Sequence, residues 1–258
     1  MYEESVMEPL TITLHIVISC LFAAFAVVGI LFPFRKNGKF SKTAVFENIL
    51  LAEKTGEKET DEEENEEHAG KKRTITLKAA VVFSSVASLL IVGIGLWLMF
   101  FFQNADILFL AKRVALVSVL VVAAYYDFAA FRIPNKLILY GIGCRVLILL
   151  FELIFARDLL SEVLLSEGIA LLSMIALAAV CMLITRRGLG MGDVKLFVLM
   201  ALMQGIAGVI SSLFGSLLVA FVFSVFLLLF KKKSKKDFIP FAPCILIGSF
   251  ISIVLLGA

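Results

Sequence analysis

The sequence predicts an all-α polytopic membrane protein of about eight transmembrane helices, and three observations predict it. Several apolar runs exceed the ~18 residues that mark a spanning helix. Hydrophobic residues make up 61% of the 258-residue chain, and the mean hydropathy is +1.03, beyond what a soluble domain of this size carries. The Lys and Arg residues gather in short blocks between the apolar runs, which is a mark of membrane topology. The formal charge of +3 therefore implies no nucleic-acid partner. The partner implied is a lipid bilayer.

The elements follow in order. Residues 1–9 are polar and acidic, with Glu3, Glu4 and Glu8. Leu10 to Phe32 is long enough to span, and its flanks do not read as a cleaved signal peptide. Residues 33–76 form the one long polar stretch: Arg35, Lys36, Lys39 and Lys42, then the acidic tract EKETDEEENEEH, then Lys71, Lys72 and Arg73. Like-charge blocks of this kind read as a solvated, disordered loop. A second span is expected over Leu77 to Phe102, and a third over Ile107 to Tyr126, ending at Asp127. After a polar loop at 128–136, a fourth span runs over Leu137 to Ala156. It contains Arg145, expected to pair within the bundle with Glu152 or another acid. Residues 157–162 read as a polar turn, and Val163 to Ile184 as a fifth span. The apolar run from Val194 to Phe230 has 37 residues. At ~1.5 Å per residue it is too long for one crossing of a ~30 Å core, so two spans are expected, broken near Gln204, Gly205 and Gly208. KKKSKK follows at 231–236, and Phe238 to Leu256 makes an eighth span.

Charge fixes the expected orientation. With eight spans and an outside N-terminus, the inside loops are 33–78, 128–136, 185–195 and 231–236. They hold ten, two, three and five of the 24 Lys and Arg. Lys112, Arg113 and Arg157 fall outside, and Arg145 within a span. This bias supports the orientation. It also requires an even number of crossings between the two last basic loops, hence the break near Gly205. Asp127 and Asp193 then both face the cytoplasm.

Those two residues carry the functional reading. An ionisable group at a membrane span is costly, and so is a candidate for function. Asp193 lies in the glycine-rich break GLGMGDVKL, where Gly188, Gly190 and Gly192 allow a backbone to approach closely. It could also serve only as a helix N-cap. Asp127 sits at a helix C-terminus, where the dipole disfavours it, so capping explains it poorly. Ile133-Pro134-Asn135 reads as the turn that starts the next helix. Two carboxylates held close share a proton; one can take a proton from water while the other polarises a carbonyl. That chemistry needs no metal and no cofactor. Cys20, Cys144, Cys181 and Cys244 form no CxxC pair, and His15 and His68 lie far apart, so no metal site is expected.

At these stretches the sequence resembles the aspartic prepilin and preflagellin peptidases, the type IV leader peptidases among the GxGD-type membrane aspartic proteases. Gly190-Met191-Gly192-Asp193, followed by Val194-Lys195, is similar to the family's second motif. Asp127, followed six residues later by Ile133-Pro134-Asn135, is similar to its first. Ile239-Pro240-Phe241-Ala242-Pro243 is similar to a Pro-Phe-Gly-Pro stretch common in the family. Ala129 stands where many members have a charge, and Ala242 where the family glycine stands. The resemblance covers about Ile107 to Ala258 and implies a six-helix catalytic core there. It implies Asp127 and Asp193 as the catalytic pair, with Gly190, Gly192, Lys195, Pro134 and Asn135 supporting them. The implied partners are prepilin-like substrates with a basic leader, cut at the cytoplasmic face of a prokaryotic plasma membrane. Larger members carry a cysteine-rich segment linked to N-methylation; without paired cysteines, cleavage without methylation is expected. Residues 1–106 lie outside the resemblance, as an extension with two spans and the charged loop. Two other readings compete: a GxGD protease cutting inside substrate spans, and a non-enzymatic transporter or scaffold.

Overall fold

The computed structural model describes residues 9–36, 39–40, 43–46, 73–101, 106–155, 157–185, 190–229 and 240–256. Among them are seven α-helices: α1 (Pro9–Leu31), α2 (Leu77–Phe101), α3 (Ile107–Ala130), α4 (Asn135–Phe155), α5 (Arg157–Thr185), α6 (Met191–Leu229) and α7 (Ala242–Leu256). Six are long and apolar enough to cross a membrane, and α7 is a shorter apolar helix. The protein is an all-α polytopic membrane protein. Its outward faces are apolar: Leu165, Leu172 and Val180 on α5 and Phe214, Phe221 and Val222 on α6 are exposed. Such faces suit lipid, because tails offer helices no hydrophobic reason to turn inward.

The bundle is built around α3. In α3, 78% of the spanning window is buried, against 17–33% in the other five span-length helices. Helices α1, α2, α4, α6 and α7 all pack on it. Small residues let them come close. Gly29 of α1 lies against Val122, and Gly95 of α2 against Ser19 of α1 and Val114 of α3.

Helix α6 is broken where its length required. Gly205 has φ 68° and ψ −171°, which is outside helical geometry and in a region that favours glycine. The two arms run in opposite directions. The first, 191–204, starts beside Asp127 and ends where the Arg113 guanidinium reaches the Met203 carbonyl, 2.5 Å away. Arg113 lies 14 residues from Asp127 on α3, about 21 Å along the axis. The second arm climbs back along α7: Ser211 bonds Ser252 at 2.5 Å, and Gly215 faces Gly248. Since α7 starts at Ala242, against Asp127, higher numbers on the second arm lie nearer the aspartate end. The chain thus doubles back at Gly205, and the described helix ends at Leu31, Leu77, Ala130, Asn135, Met191 and Ala242 lie at the end of the bundle that holds the aspartates.

Four expectations need correction. The third span runs past its expected end at Tyr126 to Ala130, so that Asp127, at the helix C-terminus, lies in its last turn. Residues 157–162 are not a turn: α5 begins at Arg157. Lys112 and Arg113 are not in an outside loop. Both are buried in α3, where carboxylates and carbonyls inside the bundle receive them. The ends of the 33–76 loop are ordered into two antiparallel ribbons, Arg35–Lys36 with Lys39–Phe40 and Thr43–Phe46 with Arg73–Thr76. The acidic tract and KKKSKK lie outside the described residues.

Candidate active site

Asp127 is placed by how α3 ends. Phe131 adopts a left-handed conformation, φ 52° and ψ 32°, and its N–H caps the Asp127 carbonyl. A bulky residue there costs about 1–2 kcal/mol. The sharp exit leaves room for Ile133-Pro134, and α4 starts at Asn135. The Leu137 N–H bonds the Pro134 carbonyl at 3.0 Å. Proline suits this position, since the first N–H groups of a helix have no intrahelical partner.

The side chain of Asp127 is held from the other side of the sequence. The Ala242 N–H, at the start of α7, donates to its Oδ2 at 2.9 Å. The Phe241 N–H donates to the same carboxylate. Asp127 is 7% exposed, so these donors fix its orientation away from bulk solvent. Sequence reading noted the 239–243 stretch only as a resemblance and did not bring it to the site; a contact 115 residues away leaves no local signal.

Asp193 enters from the first turn of α6. Its N–H bonds the Gly190 carbonyl at 3.1 Å. The glycines on either side have separate roles. A Cβ at Gly190 would come within 3.1 Å of the Asp193 carboxylate. A Cβ at Gly192 would come within 3.3 Å of Ile133. The first leaves space for the carboxylate, and the second lets α6 approach the α3–α4 corner. Lys195 Nζ donates to Asn135 Oδ1 at 2.8 Å, tying the start of α6 to the start of α4.

The two carboxylates line one cleft of about 440 Å³. Arg132, Asn135, Met191 and Lys195 share its wall. Asp127 and Asp193 are near enough to act on each other's charge. Every site residue named from sequence comes to this cleft: Asp127, Asp193, Gly190, Gly192, Lys195, Pro134 and Asn135. Such a cleft can hold an extended backbone and a water between two acids.

Sequence reasoning missed a second polar cluster, inside the bundle and near the opposite face. Arg145 Nη1 pairs with Glu152 at 2.8 Å, as expected. It also pairs with Glu167 of α5 through Nη2, at 2.5 Å. Lys112 bridges Glu152 at 2.8 Å and Glu167 at 3.4 Å. Glu152 lies seven residues from Arg145 on α4, a legible spacing; Lys112 and Glu167 come from other helices.

Residues 114–228 match the model described as the type IV leader peptidase family. One relative is the prepilin leader peptidase/N-methyltransferase of Bacillus subtilis (strain 168), 28% identical over 149 residues. The match covers 55% of this chain, and the chain spans only about half, 55%, of the relative's length. No solved structure matches the chain.

Proposed function

We propose that this chain, whose residues 114–228 match the model of the type IV leader peptidase family, is a membrane aspartic endopeptidase that removes the leader of prepilin-like precursors. The observation that carries this reading is the meeting of Asp127 and Asp193 in one cleft, at the membrane face to which the sequence's charge bias assigns the basic loops. By the positive-inside rule that face is cytoplasmic, so the enzyme cuts at the inner face of the plasma membrane.

The proposed chemistry follows from the pair. A water held between the carboxylates loses a proton to the ionised one as its oxygen attacks the peptide carbonyl carbon. The protonated one donates to the carbonyl oxygen. The tetrahedral intermediate then collapses, the C–N bond breaks, and the leaving nitrogen takes a proton from the pair. The glycine-lined edge at Gly190 and Gly192 leaves backbone accessible to an extended substrate. Lys195 and Asn135 support the site by fixing α6 to α4.

Residues 107–258 form the catalytic unit in this proposal, and 1–106 an extension. Its helices α1 and α2 brace α3: Tyr126 donates to the Gly29 carbonyl at 3.2 Å, one residue from Asp127. The methyl transfer in the relative's name is not carried over, because the four cysteines are dispersed among α1, α4, α5 and α7.

Leader removal from a candidate prepilin in membranes tests the proposal. Asp127→Asn and Asp193→Asn should each reduce cleavage by at least about 10²–10⁴-fold, at normal insertion levels. Full processing by either variant rejects the paired-aspartate mechanism.

A further inference from the structure

The first arm of α6 has 14 residues, 191–204, before the break at Gly205. At ~1.5 Å per residue it reaches only about 21 Å, short of a ~30 Å hydrocarbon core. The reversal therefore lies at membrane depth. Backbone that leaves helical geometry there must find partners within the protein. The freed carbonyls are the ones before the break.

The structure supplies those partners from three other helices. Arg145 Nε of α4 donates to the Leu202 carbonyl at 2.9 Å. Arg113 Nη1 of α3 donates to the Met203 carbonyl at 2.5 Å. Beyond the break, the Ile206 N–H donates to Ser166 Oγ of α5 at 3.3 Å. Two guanidinium groups sit at a helix C-terminus, where the dipole favours positive charge. Glu152 and Glu167 in turn hold Arg145, so its fork is fixed before it meets the backbone. Charged groups inside a membrane bundle are costly; here they do work that no apolar side chain could do.

We infer that Arg113, Arg145 and Ser166 form an anchor that holds the α6 reversal and thereby sets how far Asp193 reaches into the cleft. They are positioning residues, since none touches the cleft. Asp193 lies nine residues before Leu202, about 14 Å up a single helical rod. A rod released at its lower end tilts or slides, and its upper end carries the carboxylate. The inference rests on the proposed catalytic role of Asp193.

The test uses the full chain with Arg145→Lys and Ser166→Ala. Lysine keeps the charge opposite Glu152 and Glu167 but lacks the planar fork that serves both carboxylates and the Leu202 carbonyl. The change at Ser166 removes a single acceptor. Two quantities are measured: leader-cleavage kinetics, and hydrogen exchange of amides 191–204 compared with those of α3. A misplacement of order 1 Å predicts a kcat about 10- to 100-fold lower for Arg145→Lys, with KM within roughly twofold. Ser166→Ala should move kcat the same way by less, and Ser166→Thr, which keeps a hydroxyl, should restore it. Exchange over 191–204 should rise roughly tenfold or more while α3 stays protected. Unchanged kcat and exchange in both alanine and lysine variants overturn the anchor. So does a rise spread equally over α3, which would mean general unfolding. If Arg145→Lys fails to accumulate, the Ser166 pair decides alone. If the unaltered protein cuts no leader, the proposed function fails, and the exchange comparison still decides the anchor.

Discussion

Replacing Glu167 with Gln should be among the most damaging single-atom changes in the bundle. The cluster holds three cations, Lys112, Arg113 and Arg145, around two carboxylates, Glu152 and Glu167. The side chains of Lys112, Glu152, Arg145 and Glu167 are each no more than 8% exposed. Glu167 accepts from Arg145 Nε at 3.0 Å, from Arg145 Nη2 at 2.5 Å and from Lys112 at 3.4 Å. It also lies within the electrostatic reach of Arg113. The cluster already carries one excess positive charge, and Glu167→Gln doubles that excess. Breaking a buried pair by removing one partner costs about 3–5 kcal/mol; glutamine keeps the shape and one acceptor, so about 3 kcal/mol is expected. Lys112→Met changes the balance the other way, leaving two arginines on two glutamates. It should cost less, about 1–2 kcal/mol, although it breaks a shorter contact of 2.8 Å to Glu152. The assay is reversible unfolding in mixed detergent micelles, comparing both variants with the unaltered chain. Equal losses, or a larger loss for Lys112→Met, would refute the charge-balance reasoning.

Two other changes probe the placement of Asp127. Gly248→Ala brings a Cβ against the backbone of Ser216, where the second arm of α6 meets α7. A helix pair this close does not relax cheaply, so a loss of about 1–3 kcal/mol is expected in the same unfolding assay, together with lower leader cleavage as Ala242 shifts from Asp127. Phe131 sits at φ 52°, so Phe131→Asn should keep the corner, whereas β-branched Phe131→Val should lose about 1 kcal/mol more than Asn. Unfolding midpoints of the two variants check the order.

Much of this architecture was legible, for identifiable reasons. Hydropathy sets the spans because lipid admits no other spanning element for such runs. A largely apolar run of 37 residues exceeds one crossing, which points to a break near Gly205. Sidedness of the basic loops placed Asp127 and Asp193 on one face. The illegible parts are those set by partners distant in sequence. Lys112 and Arg113 look like interfacial charges when counted along the chain; Glu152 and Glu167, 40 and 55 residues from Lys112, and Met203, 90 from Arg113, receive them inside the bundle. Phe131 carries no left-handed signature, because the residue types that favour that conformation are Gly, Asn and Asp.

The cleft and the ion cluster are two ends of one construction. Helix α3 carries Asp127 at its upper end and Arg113 fourteen residues below. The first arm of α6 carries Asp193 at its upper end and Met203 ten residues below. The two rods are antiparallel, joined below by the Arg113–Met203 bond and meeting above at the carboxylates. Fourteen residues of α3 span about 21 Å and ten of α6 about 15 Å, so the arginine side chain must bridge the difference for the aspartates to stand level. A shorter cation at that position would reach the carbonyl only by drawing α6 down. Asp193 would then leave the cleft without any change in the cleft's own residues. The residues proposed to carry the chemistry therefore stand at helix ends at one face. Those proposed to hold them in register lie about 21 Å away along α3, on charges that composition alone would have assigned to the water.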